Sequence, residues 1–365
     1  MDLLDPRAPG ERALLGLWLE AQRRYALHPE QAPPALRRAR TGAELKRAFE
    51  RDAAAERLAS RDCGVLALAG ARAVPISSAL YPERLRRLVD APTLLLVRGN
   101  PALLLVRAVA MVGARACSHY GRSVARELAA GAARGGLLVV SGLARGIDAA
   151  AHEAALEAGG ASLAFLPCGI EQVYPPSHRR LASALATRGA VVSEFPVGTP
   201  PRRPYFPLRN RLISALSEAV IVVEARIASG TLVTARHAAN QGVDVLAVPG
   251  SVRSPTSAGP HLLLRDGAGI VTSAADLLEA LGIDAKEALA SGSTEREREG
   301  AQAAAEPARR LAARALALLR DGPRARDELA AQLAAGEAEL GAALLELELS
   351  GAASEDRDGR WAALR

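Results

Sequence analysis

Two hydrophobic periods alternate along this chain. Between residues 109 and 272, short apolar and β-branched runs of strand length are separated by longer segments whose apolar positions recur at helical spacing. The runs fall at 109–112, 137–140, 162–166, 190–192, 220–223, 245–248 and 270–272. Gly135-Gly136, Gly159-Gly160, Gly189 and Gly242 stand where a helix must stop before the next run, the place of a left-handed C-cap. Such alternation implies an α/β fold, an extended Rossmann-like doubly wound sheet, mostly parallel, with helices on both faces.

The pattern changes on either side. Leu14, Leu15, Trp18 and Leu19 have helical spacing and Pro33-Pro34 breaks it, which reads as a small helical N-terminal domain over 1–73. Pro75, Pro82, Pro92 and Pro101 punctuate 74–107, so an irregular connector is expected at the start of a core domain covering 74–282. A polar stretch with a charged run at 295–299 reads as a linker over 283–307. Beyond it, helical segments at 311–320, 325–333 and 337–349 are followed by short strands near 356–361, the order of a winged-helix domain over 308–365.

Composition adds three things. The net charge of +6 suits a polyanionic partner without requiring one. Nearly every basic residue is Arg, the lysines being Lys46 and Lys286, so arginine richness carries no message and only position does. Cys63, Cys117 and Cys168 are widely spaced and odd in number, which fits reduced thiols rather than disulfides or zinc. With no export signal and no apolar run of membrane-spanning length, a cytoplasmic protein without a membrane partner is expected.

In a doubly wound sheet the loops at the carboxyl ends of the strands hold the ligand, and helix N-termini point free N–H groups there. Four such loops carry chemistry. Gly113-Ala114-Arg115 offers close backbone approach and one arginine, equally a tight turn. The second, 141–148, combines Ser141, Gly142, Arg145 and Gly146. Its Asp148 reads as an acid favoured near a helix N-terminus, and His152, one turn on, as structural. The third, 199–217, holds Arg202, Arg203, Arg209 and Arg211 with Tyr205, Phe206 and Asn210, the mixture of phosphate-binding charge and stacking surface that suits single strands. The fourth ends in Ser229-Gly230-Thr231 at a helix start, able to cradle a phosphate or merely cap the helix. Glu224 before it reads equally as a base, a ribose contact or an ion-pair partner.

Taken in this order, Val112-Gly113-Ala114-Arg115, Ser141 through Asp148, Ala151-His152, Tyr174-Pro175, Ser193-Glu194, Phe206-Pro207-Leu208-Arg209-Asn210-Arg211, Ser229-Gly230-Thr231 and Val248-Pro249-Gly250 resemble the DNA-processing protein A family, also called DprA or Smf. The resemblance implies sequence-non-specific binding of single-stranded DNA, a homodimer formed through the Rossmann-like core, and loading of a RecA-type recombinase onto incoming strands in natural transformation. It carries the family's phosphate pocket onto Arg115, Ser141, Gly142, Arg145, Arg203, Phe206, Arg209, Asn210 and Arg211, with Ser229, Gly230 and Thr231 at the rim. Ala114 stands where the family commonly has Ser, and Arg203 where Lys often stands.

Two other functions compete. A nucleotide hydrolase on the same core needs a catalytic constellation, and the sequence offers no Walker-A lysine, nucleophile elbow or metal-ligand cluster, leaving Glu224 as the one attractive acid. A duplex-binding winged-helix regulator would use 337–349 as its recognition helix, but Glu337, Glu339, Glu346 and Glu348 make it acidic and repelled by phosphates. A non-enzymatic protein without cofactor or metal is therefore expected, the winged helix serving protein contact or regulation.

Overall fold

The strand-length runs become a single sheet because each is apolar on both faces. In β3 (Ala108–Val112), β4 (Leu138–Ser141), β5 (Ser162–Phe165), β6 (Ala190–Ser193) and β7 (Ala219–Val222) every position is buried, as expected of parallel strands with helices on both sides. Alternate residues serve opposite cores: Val109 and Met111 pack with helix α6 (His119–Arg134) and α7 (Ile147–Glu157), and Ala108, Ala110 and Val112 pack with α9 (Tyr205–Leu216). The computed structural model describes residues 3–8, 10–39, 41–48, 53–286, 311–333, 335–349, 352–355 and 360–363. They divide into two compact units, Met1–Gly292 and Ser293–Arg365.

The sheet of the first unit has nine strands in the order β1-β2-β6-β5-β4-β3-β7-β8-β9, with β1 (Ala71–Pro75) and β2 (Leu94–Gly99) at one end and β8 (Asp244–Ala247) and β9 (Gly269–Ile270) at the other. Strands β3 to β9 all run parallel. The chain winds outward from β3 to β6, then returns to the far side of β3 with β7, so the loops after β3 and β7 leave in opposite directions. That switch point opens a crevice at the carboxyl edge.

Two strands lie where an irregular connector was expected. β1 (Ala71–Pro75) and β2 (Leu94–Gly99) pair antiparallel, and β2 also pairs antiparallel with β6. Pro75 ends β1, and Pro92 and Pro101 flank β2 rather than interrupt it, while Leu94 through Val97 are all buried. The boundary expected at 73 therefore falls inside β1. Trp18 and Leu15 of α1 (Arg12–Tyr25) belong to the same core cluster as Leu94–Val97, and Gln22 Nε2 donates to the Glu194 carbonyl at 2.8 Å.

A third difference decides the site. The stretch 199–217, read as a loop, is mostly helix α9. Pro207 sits in its first turn, where a missing N–H is harmless, and Leu212, Ile213 and Leu216 bury its inner face.

In the second unit, helices at 311–320, Arg326–Leu333 and Glu337–Leu349 surround Leu319, Leu329, Leu340, Leu344 and Trp361. A three-stranded antiparallel sheet accompanies them, Arg324–Ala325 against Arg360–Ala363 against Ala353–Glu355. This is a winged-helix arrangement, with one short strand between the first two helices that the sequence reading omitted. Residues 287–307 of the expected linker lie outside the described residues. Among the described residues no helix is long and apolar enough to cross a membrane.

Candidate nucleic-acid interface

A cavity of about 580 Å³ occupies the switch point, and all four expected loops reach it. Gly113 and Arg115 come from the end of β3, Ala144 and Asp148 from the end of β4, and Arg203, Phe206, Arg209 and Asn210 from the start of α9. Ser229, Gly230 and Thr231 open α10 (Gly230–Asn240), whose first-turn N–H groups lack intrahelical partners and whose dipole favours an anion. The Ser229 Oγ is buried with no hydrogen-bond partner, and Asn210 Nδ2 donates to the Gly230 carbonyl at 3.4 Å.

Arg209 lies at the floor. Its side chain is almost wholly buried, its Nη1 donates to the Phe165 carbonyl at 2.7 Å, and its Nε has no partner. Burial holds its pKa down to about 10, against the opposing pull of Asp148. Burial likewise raises the Asp148 pKa, opposed first by Arg209 and then by backbone N–H groups of Ala144 and Gly142, each 3.2 Å from Oδ2. Desolvation thus outweighs pairing for both charges, a costly arrangement typical of functional sites. Gly142 makes it feasible: a Cβ there would stand 2.0 Å from Arg209 Nη1. Gly146, at φ 82°, draws the first two loops together, since a Cβ would stand 2.2 Å from the Ala114 carbonyl that accepts from Ile147 N.

The rim is exposed and unpaired. Arg115, Arg145 and Arg203 are solvent-exposed, and none has an acidic partner among the described residues. The Arg115 guanidinium lies over the Phe206 ring, 5.1 Å from its centroid, and Tyr174 meets that ring edge-on at 5.6 Å. An adjoining recess shares Arg115, Tyr174 and Phe206 and adds Arg145. A cavity walled by aromatic rings and rimmed by free arginines can stack unpaired bases while gripping phosphates. Phe206→Ala is expected to weaken single-strand binding by about 1–3 kcal/mol with the salt dependence unchanged, as read by fluorescence titration.

Two expected contacts are placed elsewhere, and a third has its N–H engaged within the protein. Arg211 is buried on the opposite side of α9, with Nη2 on Glu194 Oε2 at 2.7 Å and Nε on Asp90 Oδ2 at 2.7 Å. Burial lowers its pKa, but Glu194 and Asp90 raise it on balance. The Ser141 hydroxyl is fully buried and donates to the Met111 carbonyl at 2.6 Å. The Gly142 N–H donates to Asp148 and its missing Cβ makes room for Arg209, while Gly142 itself lines the recess beside Arg145.

Other side chains acquire definite roles. Glu224 accepts from Ser118 N at 2.8 Å, Ser118 Oγ at 2.6 Å and Thr256 Oγ1 at 3.1 Å, which makes it a brace between loops. His152 is fully buried, its Nδ1 2.7 Å from Ser162 Oγ, and burial lowers its pKa to about 3. Asp148 has a larger role than helix-end stabilisation. The available signal was the run Ala149-Ala150-Ala151 after it, which marks a helix start buried together with its acid, although it does not name the partner. Tyr174 was absent from the expected site, although a chain with 5 Tyr and 4 Phe makes each aromatic informative.

Comparison with known proteins covers the stretch of chain that holds these loops. The family model described as DNA recombination-mediator protein A matches residues 72–282, and that of the DprA winged helix domain matches 299–359. Protein Smf of Escherichia coli is 46% identical over 209 residues, 57% of this chain and 56% of that protein. DNA processing protein DprA of Bacillus subtilis is 40% identical over 213 residues, 58% of this chain and 72% of that protein. The X-ray structure of DprA from Streptococcus pneumoniae matches with a TM-score of 0.60 at 33% identity, over 76% of this chain and 98% of that one. A DprA structure from Helicobacter pylori, described for its single-stranded DNA binding mode, matches with a TM-score of 0.52 at 28% identity, over 55% of this chain and 92% of that one.

Proposed function

Since the chain belongs to the DNA recombination-mediator protein A family, we propose that its switch-point cavity binds single-stranded DNA without sequence preference, so that the strand is protected and loaded with a RecA-type recombinase during natural transformation. The observation that carries this reading is the cavity itself: Arg209 at its floor, free Arg115 and Arg203 at its rim, and the Phe206–Tyr174 wall between them. The Helicobacter pylori relative, described as binding single-stranded DNA, supports the same ligand. The protein acts in this reading as a homodimer, and the strand is held rather than cleaved. Glu224, the acid on which a hydrolase reading depended, is committed to Ser118 and Thr256 and does not line the cavity.

Phosphates meet Arg115, Arg145, Arg203 and Arg209 together with the start of α10, while bases stack on the aromatic wall. Four neutralised phosphates predict a log–log salt slope of about −3, from about −0.7 per phosphate on a single strand. Titration of the full chain with single strands and matched duplex at several salt concentrations tests this. Tighter single-strand binding with that slope is expected. Equal or tighter duplex binding would overturn it.

A further inference from the structure

We propose that a single strand leaving the cavity crosses a second contact surface, formed by the loops after β7 and β8, where Arg226 and Arg253 take phosphates and Ile227 and Val252 take base faces. The inference extends the reading above and rests on it.

Ile227 is 65% exposed and Val252 87%, and each adjoins an exposed arginine with no acidic partner among the described residues. The loops that carry them are braced. Ala225 N donates to the Thr256 carbonyl at 2.7 Å, Gly259 N to the Ala225 carbonyl at 2.8 Å, and Tyr120 Oη to the Pro249 carbonyl at 2.7 Å. Thr256 Oγ1 meets Glu224, so the carboxylate that holds the start of α6 also holds this platform. Exposed aliphatic side chains on tethered loops are presented to solvent by the fold rather than left there by slack backbone.

The platform is continuous with the cavity. Ser229 lines the cavity, and its N–H bonds to the Arg226 carbonyl at 3.2 Å, so both belong to one turn. β8 lies beside β7, and neighbouring strands are about 4.8 Å apart, which puts the outer loop within about 5–10 Å of the crevice. Alternating free charge and apolar surface matches an unpaired strand, whose bases are uncovered, and not a duplex, whose bases are stacked inside.

The test compares the full chain with the double variant Arg226→Ala/Arg253→Ala on labelled oligothymidylates of about 5 and about 20 nucleotides, lengths that bracket common site sizes. The long strand should bind the variant more weakly, with a salt slope shallower by about 1.4, and the short strand should bind as before. Thermal unfolding should not change, because both side chains are exposed. A second variant, Ile227→Ser/Val252→Ser, should weaken long-strand binding at unchanged slope. Long-strand binding unaltered in either variant, or short-strand binding lost in step with it, would overturn the inference. Failure of the parent protein to bind either strand would instead overturn the proposed function.

Discussion

Arg211→Ala is expected to destabilise the first unit by about 3–5 kcal/mol while leaving the salt dependence of strand binding unchanged. The guanidinium is 5% exposed and meets Glu194, itself 2% exposed, so its removal strands a carboxylate in the interior. Burial already raises the Glu194 pKa and Arg211 opposes that rise, so the variant's Glu194 titrates higher still. A carboxyl group whose folded pKa lies above its unfolded value favours folding fully below the unfolded pKa and loses that advantage as pH rises from there through the folded pKa. The deficit relative to the parent should therefore be small below about pH 4.3 and grow toward neutrality. Urea unfolding at acidic and neutral pH measures it. A deficit that is flat across pH, or a shallower salt slope, would return Arg211 to the binding surface.

Asp148→Asn and Arg209→Met should pull stability and binding apart. In Asp148→Asn the buried guanidinium loses its counter-charge, at about 3 kcal/mol or more of stability, and the cavity becomes hungrier for anions. Single strands and inorganic phosphate should then bind more tightly, and added phosphate should recover part of the lost stability. Arg209→Met removes a charged donor from the floor, so strand binding should fall by about 1.5–3 kcal/mol, roughly ten- to a hundredfold. Thermal unfolding with and without phosphate, beside a strand titration, reads both effects. Weaker strand binding in Asp148→Asn would mean that this carboxylate only orients Arg209.

The parallel core was legible because a strand buried on both faces cannot disguise itself: its apolar run is continuous, and the glycines that stop the helices fall between the runs. β1 and β2 were hidden by prolines that bracket them. Within the site, spacing misled where a helix replaced a loop. Arg209 and Arg211 are two residues apart, which along a strand or a slack loop lets both reach one ligand. On helix α9 two residues turn through about 200°, so one enters the cavity and the other the interior behind it. Arg115, Arg145 and Arg203 are exposed as a reading of loop residues expects, whereas the ring that Arg115 covers came from the tertiary structure. Asp148 was undervalued because its role depends on a guanidinium 61 positions later in the chain, a pairing created only by the sheet.

A partly exposed aromatic ring is a sticky surface, and Arg115 sits over that of Phe206 as a polar cover. Under the proposed function, a base taking that face would first displace the cover, and the displaced arginine would then be free to swing onto the phosphate that arrives with the base. Strand entry would thus be an exchange of one occupant for another, in which the molecule that uncovers the ring also supplies the guanidinium's next partner.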